Sequence, residues 1–433
     1  MCALTLNSVG QAHLASWLDE ASESTLTTSN QSALSMPFQR WFKFKEAFAP
    51  SFVVESVRRL PYKPETCLDP FGGSGTTALT CQFLGITPTT IEVNPFMADV
   101  AEAKLSSYDI GELKYAFRSA SRRARNIFSA HNNAPLFPGA PQTFVEPGVR
   151  GRWIFGKAVA KAISAVRSAI EEIEDPVNAR LLRIILGSRL IDLSNVLING
   201  KGRRYRRGWE KRLMEPEQVF TSFEVACASA ISDIESFRRR SCKRYTLLRG
   251  DSRILTPNVG SVDFVLTSPP YPNSFDYTDI YNVELWALGY LGSGEDNRIL
   301  RASTLRSHVQ IAHEGLAAAN LTPTLRKTYK ALCARRSSLW NRNIPEMVCH
   351  YFSDMSSVLT GCRSVLSDGG HMMLAVGDSR YDGVLIDVPK ILTEIAEGIG
   401  FKLVKNEAVR SMRSSAQQGG DHVLNESLLW LSS

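Results

Sequence analysis

ETCLDPFGGSGTTALTCQFLG, residues 65–85, decides the fold. A short apolar run through Cys67 and Leu68 ends on an acid, Asp69, after which three glycines fall within six positions and Thr76-Thr77 open an apolar stretch. Glycine admits positive φ and close backbone approach, so the segment is predicted to be a strand, a tight turn and a helix. The next run, TPTTIEVNP at 87–95, is rich in β-branched residues and gives a second strand ending at Glu92, which completes a β-α-β unit. A phosphate loop would need a lysine after the last glycine, and none follows. The acid at the first strand's end suits a cationic group on a ligand instead, and Glu92 stands where nucleotide-binding folds hold ribose hydroxyls. Taken alone, the glycines fit a cofactor cradle or merely a sharp corner.

A second strand end is as unusual. VDFVLTSPPYPNSFDY, residues 262–277, leaves an apolar strand through Ser268, Pro269, Pro270 and Tyr271. Two prolines fix φ and carry no N–H, so the carbonyls here can face outward as acceptors with no competing ladder. Tyr271 adds a flat face. Acceptors beside an aromatic plate suit a planar heterocycle with an exocyclic amino group, while a proline-stiffened turn or a polyproline II ligand remains open at this point.

The rest of the chain sets the frame. A length of 433 residues with 44% hydrophobic content supports a large core, either as several domains or as one domain with insertions. Lys and Arg number 50 against 43 acids, a net charge of +7 that permits a polyanionic partner without demanding one. The eight cysteines show no CxxC spacing and the seven histidines no ligand pattern, so no metal is expected. The first residues lack a basic region followed by an apolar run, and no long uncharged apolar window occurs, so neither secretion nor membrane insertion is expected and the location is cytoplasmic.

Residues 1–35 form a leader. From 106 to 244 helical periodicity dominates and no convincing strand is found; Asp175 is an N-cap with Pro176 at the first helical position, and Asn199-Gly200 reads as that helix's stop. Strands return at RYTLLRGDSRIL (244–255), a second helical insert fills 291–349, and strand and helix alternate from 350 to 433. The expected fold is α/β, a doubly wound, mostly parallel Rossmann-like sheet built from 36–105, 245–290 and 350–433, with two helical insertions.

DPFGGSGTT followed by TSPPY, each closing a strand, resembles the amino-methylating DNA methyltransferases that use S-adenosylmethionine, and the serine form of the second motif is similar to their N4-cytosine branch. The resemblance extends to FQRWFKFKEAFAPSFV (38–53), similar to the family's first cofactor-contacting helix, and to LLRGDSRIL (247–255), similar to its third strand and acidic turn. It covers about half the chain. It implies that Asp69, Phe71, Gly73 and Gly75 line the methionine end of the cofactor, with Asp69 taking the ammonium and Thr76 and Thr77 supporting the turn. Glu92 would hold the ribose, Asp251 would accept from the adenine amino group, and Phe48 would pack alongside. Ser268 and the Pro269 carbonyl, stiffened by Pro270, would accept from the target amino group, and Tyr271 would stack on the base.

The implied activity is methyl transfer to the N4 of a cytosine in a specific double-stranded DNA sequence, after base flipping, within a restriction-modification system. N6-adenine methylation is the alternative, and a catalytically inactive DNA-binding subunit is another. Where the family's second and third strand elements usually lie close together, a long insert here separates Glu92 from Asp251. That insert carries the expected DNA contacts: Asn195, Lys201, Arg203, Arg204, Arg206 and Arg207, with aromatics interleaved.

Overall fold

The computed structural model describes residues 16–17, 32–44, 46–130, 136–199, 202–241, 244–273, 275–311, 321–413 and 423–433. Its strands are β1 (Thr66–Asp69), β2 (Thr87–Glu92), β3 (Val196–Asn199), β4 (Gly202–Tyr205), β5 (Thr246–Arg249), β6 (Val262–Thr267), β7 (Leu366–Gly377), β8 (Ser379–Tyr381), β9 (Val384–Ile386), β10 (Lys402–Arg413) and β11 (Val423–Ser432). Seven of them make one sheet in the order β10-β11-β7-β6-β1-β2-β5. From β7 to β5 every pairing is parallel, whereas β11 runs antiparallel to both β7 and β10.

This order locates a ligand site before any side chain is considered. From β1 the chain moves outward to β2 and β5, then returns to place β6 on the other flank of β1 and continues to β7. The direction of winding reverses between β1 and β6, and the crevice of an open α/β sheet lies beyond the carboxyl ends of the strands at such a reversal. Asp69 ends β1 and Thr267 ends β6.

Burial on both faces explains why residues 264–266 of β6 and 372–376 of β7 are continuous apolar runs rather than alternating. Leu68, Val265, Met372, Leu374 and Val376 face one layer, where they meet Met347, Tyr351 and Met355 of helix Ile344–Val365 and Ile391 of helix Val388–Ile399. Their neighbours Cys67, Phe264, Leu266, Met373 and Ala375 face the other, against Phe52 and Val53 of helix Pro50–Arg58 and Cys81 of helix Thr76–Leu84. Each fully buried Phe, Leu or Val contributes about 1.5–3 kcal/mol, so this two-sided layer is the main source of rigidity beneath the crevice.

Between β2 and β5 lie four long helices, Ile110–Ser129, Lys157–Glu171, Pro176–Leu193 and Pro216–Phe237, which share a core with the aromatic segment Phe38–Phe44. Asp175 caps the third of them as expected, accepting from the Val177 and Asn178 N–H groups at 3.2 and 3.1 Å, with Pro176 next. That helix stops at Leu193, earlier than predicted, and Asn199 instead begins the turn of an antiparallel hairpin in which it pairs with Gly202. The reason lies downstream. Arg206 donates from Nη2 to the Ile191 carbonyl at 2.9 Å and from Nε to the Ser194 carbonyl at 3.2 Å, satisfying the helix end so that the chain can turn into β3. Lys201 lies outside the described residues. Among those described, no helix is long and apolar enough to cross a membrane.

Candidate active site

The glycine turn is held from three sides. Gly72 donates to the Ile91 carbonyl of β2 at 2.9 Å, Gly75 to the Gly72 carbonyl at 2.8 Å, and Gly73 to Oε2 of Glu92 at 2.7 Å. Gly73 and Gly75 have φ of 50° and 78°, and a Cβ on Gly75 would stand 2.9 Å from that of Ala101, so a side chain there meets both strain and a clash. Beneath the turn, the fully buried Lys104 donates from Nζ to the Ser74 carbonyl at 2.8 Å and to Oε1 of Gln39 at 3.1 Å. Burial pushes its ammonium down to about 7.

Three acids end three adjacent parallel strands in spatial order. Asp69 closes β1, Glu92 closes β2, and Asp251 follows β5. Asp69 is 4% exposed and accepts at Oδ1 from the Phe71 N–H at 3.0 Å and from Thr267 Oγ1 at 2.7 Å; burial raises its carboxyl above the usual range. Glu92 accepts from the Gly73 and Asn94 N–H groups, each at 2.7 Å, yet burial still pushes it up to about 7. Asp251 caps the short helix Ser252–Leu255 and takes a bidentate pair from Arg253, whose Nη1 reaches on to the buried Asp354 at 2.9 Å. Ser252 donates its hydroxyl to the Pro70 carbonyl, tying the third strand's end to the glycine turn.

The proline corner opens into the same space. A cavity of about 630 Å³ is lined by Phe48, Asp69, Phe71, Gly73, Thr76, Thr77, Glu92 and Asp251 from the glycine side and by Ser268, Pro269, Pro270 and Tyr271 from the other. Gly75 shapes the turn from behind and does not line it. The phenol of Tyr271 donates to Oε1 of Glu426 on β11 at 2.6 Å, and burial raises that hydroxyl well above its ordinary value, so it remains a neutral donor and the ring plane is fixed.

Several wall residues carry no sequence signal of their own. Glu426 and Arg410 arrive from the antiparallel edge, opposite each other in register. Phe44 stacks on Tyr281 at 5.6 Å between centroids, and Tyr281 donates to Oε2 of Glu46 at 2.7 Å; all three line the cavity. The described residues around Phe44, 38–44 and 46–48, form a short 3-10 turn at Gln39–Trp41 and irregular chain, with a regular helix beginning only at Pro50. Ser303, Thr304, Leu305, Ser307 and His308 close another side.

The basic residues divide. Arg204 and Arg207 are exposed, and Arg203 is half-buried with its Nη2 3.7 Å from Asp279 on helix Tyr277–Ile280, whose Tyr277 and Thr278 line the cavity. Asn195 and Arg206 do not join that outward set. Asn195 is buried with its amide donating to the Trp153 carbonyl at 3.3 Å, and Arg206 is the helix-ending side chain described above.

No protein-family model matches the chain. Among curated proteins it is similar to the Type II methyltransferase M.AvaI of Nostoc sp. (strain PCC 7120), 27% identical over 427 residues that cover 91% of this chain and 85% of the relative. Type II methyltransferase M.BsoBI of Geobacillus stearothermophilus is 25% identical, covering 91% and 84%. Type II methyltransferase M.MjaII of Methanocaldococcus jannaschii matches a shorter piece, 39% identical over 71 residues covering 16% and 13%. Among solved structures, the rRNA methyltransferase aviRa from Streptomyces viridochromogenes aligns at 12% identity with a TM-score of 0.30, covering 99% of this chain and 94% of that one. A score that low carries no argument, and the fold assignment rests on the strand order.

Proposed function

The chain is homologous over most of its length to the Type II DNA methyltransferases, and we propose that it methylates the N4 amino group of a cytosine in a specific sequence of double-stranded DNA, as the modification half of a restriction-modification system in the cytoplasm. The observation that carries this reading is the meeting of the glycine turn and the Ser268 corner in one cavity, joined by the hydrogen bond between Thr267 and Asp69.

The residues suit S-adenosylmethionine. A buried carboxylate at the end of β1 offers a partner to an ammonium, Glu92 offers acceptors to a ribose diol, and the glycines leave bare backbone where a side chain would fill the cradle. Asp251 lines the cavity on the side where an adenine amino group would lie, with its carboxylate oriented by the Arg253 backbone N–H and guanidinium. Phe44 and Phe48 supply the apolar side. When bound, this cofactor supplies a sulfonium methyl that an amine takes in one in-line displacement.

The chain's own work is on the amino group. A cytosine amino lone pair is delocalised into the ring and is a poor nucleophile. Ser268 Oγ and the Pro269 carbonyl accept from its two hydrogens, which favours a pyramidal nitrogen with its lone pair released toward the methyl, and one of those two protons leaves after the N–C bond has formed and the S–C bond has broken. Tyr271, pinned by Glu426, holds the ring by stacking. Positioning two bound reactants in this way can contribute about 7–11 kcal/mol in well-aligned cases, and no covalent enzyme nucleophile is needed. The base has to leave the helix to enter, at a cost of a few kcal/mol that contacts from the insert at 106–244 repay.

The serine at position 268 is similar to the form of this corner in the family's N4-cytosine branch, and that resemblance favours cytosine N4 over adenine N6, which presents the same kind of amino group. The test is incubation with labelled S-adenosylmethionine and unmodified plasmid DNA, digestion to nucleosides and mass spectrometry. N4-methylcytosine is expected; N6-methyladenine would move the assignment to adenine, and cofactor binding without any methylated base would end the enzymatic reading.

A further inference from the structure

A second turn stands opposite the β3-β4 hairpin. Val149 and Arg152 are bridged antiparallel, with hydrogen bonds of 3.1 and 3.0 Å in the two directions, and the residues between them, Arg150 and Gly151, have φ of 52° and 69°. Positive φ at both central positions defines the tight turn that glycine and asparagine fill. Arginine in the first position is an outlier, and such conformations persist where the surroundings hold a side chain for a purpose. The support is visible at Gly148, also at positive φ, where a Cβ would fall 1.9 Å from the Arg152 carbonyl oxygen.

The turn presents Arg150 and Arg152 across a groove from Arg203 and Arg204 of β4, and the Arg152 guanidinium lies 6.0 Å from the centroid of the Tyr205 ring. Arg150, Arg152 and Arg204 have no carboxylate within ion-pair distance among the described residues, while Arg203 faces Asp279 at 3.7 Å and also feels the buried Glu284. Four guanidiniums gathered with an acid facing only one of them repel one another, which a polyanion relieves; their planar forks match phosphate oxygens two at a time. The contact between Arg203 and Asp279 ties this groove to the helix Tyr277–Ile280, whose Tyr277 and Thr278 wall the base cavity.

We propose that the 149–152 turn and β4 form the two walls of a cleft that grips the phosphodiester backbone of duplex DNA beside the base cavity, with Arg150 and Arg152 as direct phosphate contacts. This rests on the reading of the protein as a DNA methyltransferase and adds a wall that the basic run at 201–212 does not contain. The cleft holds the duplex at the cavity mouth while the base leaves the helix.

The experiment compares the wild-type protein, the double variant Arg150→Ala/Arg152→Ala and the control Arg298→Ala, an exposed arginine paired with Glu295 elsewhere on the surface. Binding to a fluorescent random-sequence duplex is followed by anisotropy across a salt series, and calorimetric binding of S-adenosylmethionine reports that the fold is intact. The double variant is expected to bind duplex about tenfold or more weakly, with the slope of log affinity against log salt shallower by roughly 2, since each phosphate that is no longer neutralised removes about 0.9 from it. Its cofactor affinity stays at the wild-type value, and Arg298→Ala changes neither quantity. An unchanged slope in a double variant that still binds cofactor overturns the cleft, even where the wild-type protein methylates DNA. Wild-type protein that binds cofactor but neither binds nor methylates any duplex overturns the underlying reading instead.

Discussion

Thr267 Oγ1 donates to Asp69 Oδ1 at 2.7 Å, joining the last residue of β6 to the last residue of β1 at the point where the sheet's winding reverses. The bond sets how the two corners of the cavity face each other, and it leaves the Asp69 carboxyl lining that cavity. Asp69→Asn keeps the shape and removes the charge. Its affinity for S-adenosylmethionine should fall about 10- to 100-fold, the 1.5–3 kcal/mol of a hydrogen bond to a charged group. Thr267→Val should cost about 1 kcal/mol of stability. Calorimetry showing wild-type affinity in Asp69→Asn would remove the ammonium assignment.

Glu92 gives a pH signature with a definite sign. Burial raises its carboxyl from 4.5 to about 7 in the folded protein, so the folded state binds a proton there that the unfolded chain has already released. The contribution is therefore fully present below 4.5 and is lost as pH rises through about 7. Ribose hydroxyls donate to the ionised form, so cofactor binding should tighten as pH rises through the same window, with a proton released on binding below it. Titrations in two buffers of different ionisation enthalpy measure that proton. Glu92→Gln should bind cofactor weakly and lose this component, and equal proton release in the variant would exclude Glu92 as its source.

Both corners of the cavity were legible in the sequence because each is local chemistry: glycines at 72, 73 and 75 where backbone must bend, and prolines at 269 and 270 where no N–H can join a ladder. That they meet follows from topology, which the alternation of strand and helix already implied. The β3-β4 hairpin was not legible, since its strands are four residues each and Asn199-Gly200 signals a helix end as readily as a hairpin turn. Arg206 shows the limit of reading a basic run as one surface: its neighbours at 204 and 207 are exposed, while it closes a helix. Glu426 is invisible from position 271 because 155 residues separate the pair, and only the packing of β11 between β7 and β10 brings it in.

That long-range pair supports a prediction of its own. Tyr271 is the stacking plate and Glu426 aligns it, so the two should fail differently. Tyr271→Ala removes about 1–3 kcal/mol of base stacking and should lower kcat/KM for DNA about 10- to 100-fold while cofactor affinity holds. Tyr271→Phe keeps the plate and loses the bond to Glu426; it should retain most of kcat and show a raised KM for DNA. Steady-state kinetics on plasmid substrate separate these outcomes, and normal turnover in Tyr271→Ala would rule out stacking.

Asp354 links the adenine side of the cavity to the segment that closes it. Only 3% exposed, it accepts from Arg253 Nη1 at 2.9 Å and from the Arg306 backbone N–H and Nη2 at 2.9 and 2.6 Å, while Arg253 also grips Asp251. Asp354→Ala leaves two arginines without their shared anion and should cost about 3–5 kcal/mol of stability by denaturant unfolding. Arg306→Ala is the gentler probe, because Asp354 keeps Arg253 and the Arg306 backbone N–H. That variant should unfold near the wild-type midpoint yet bind S-adenosylmethionine several-fold more weakly, since the wall at Ser303–His308 loses its anchor beside Asp251. Equal affinity in Arg306→Ala would show that this wall stands without the ion pair, and that the network serves stability alone.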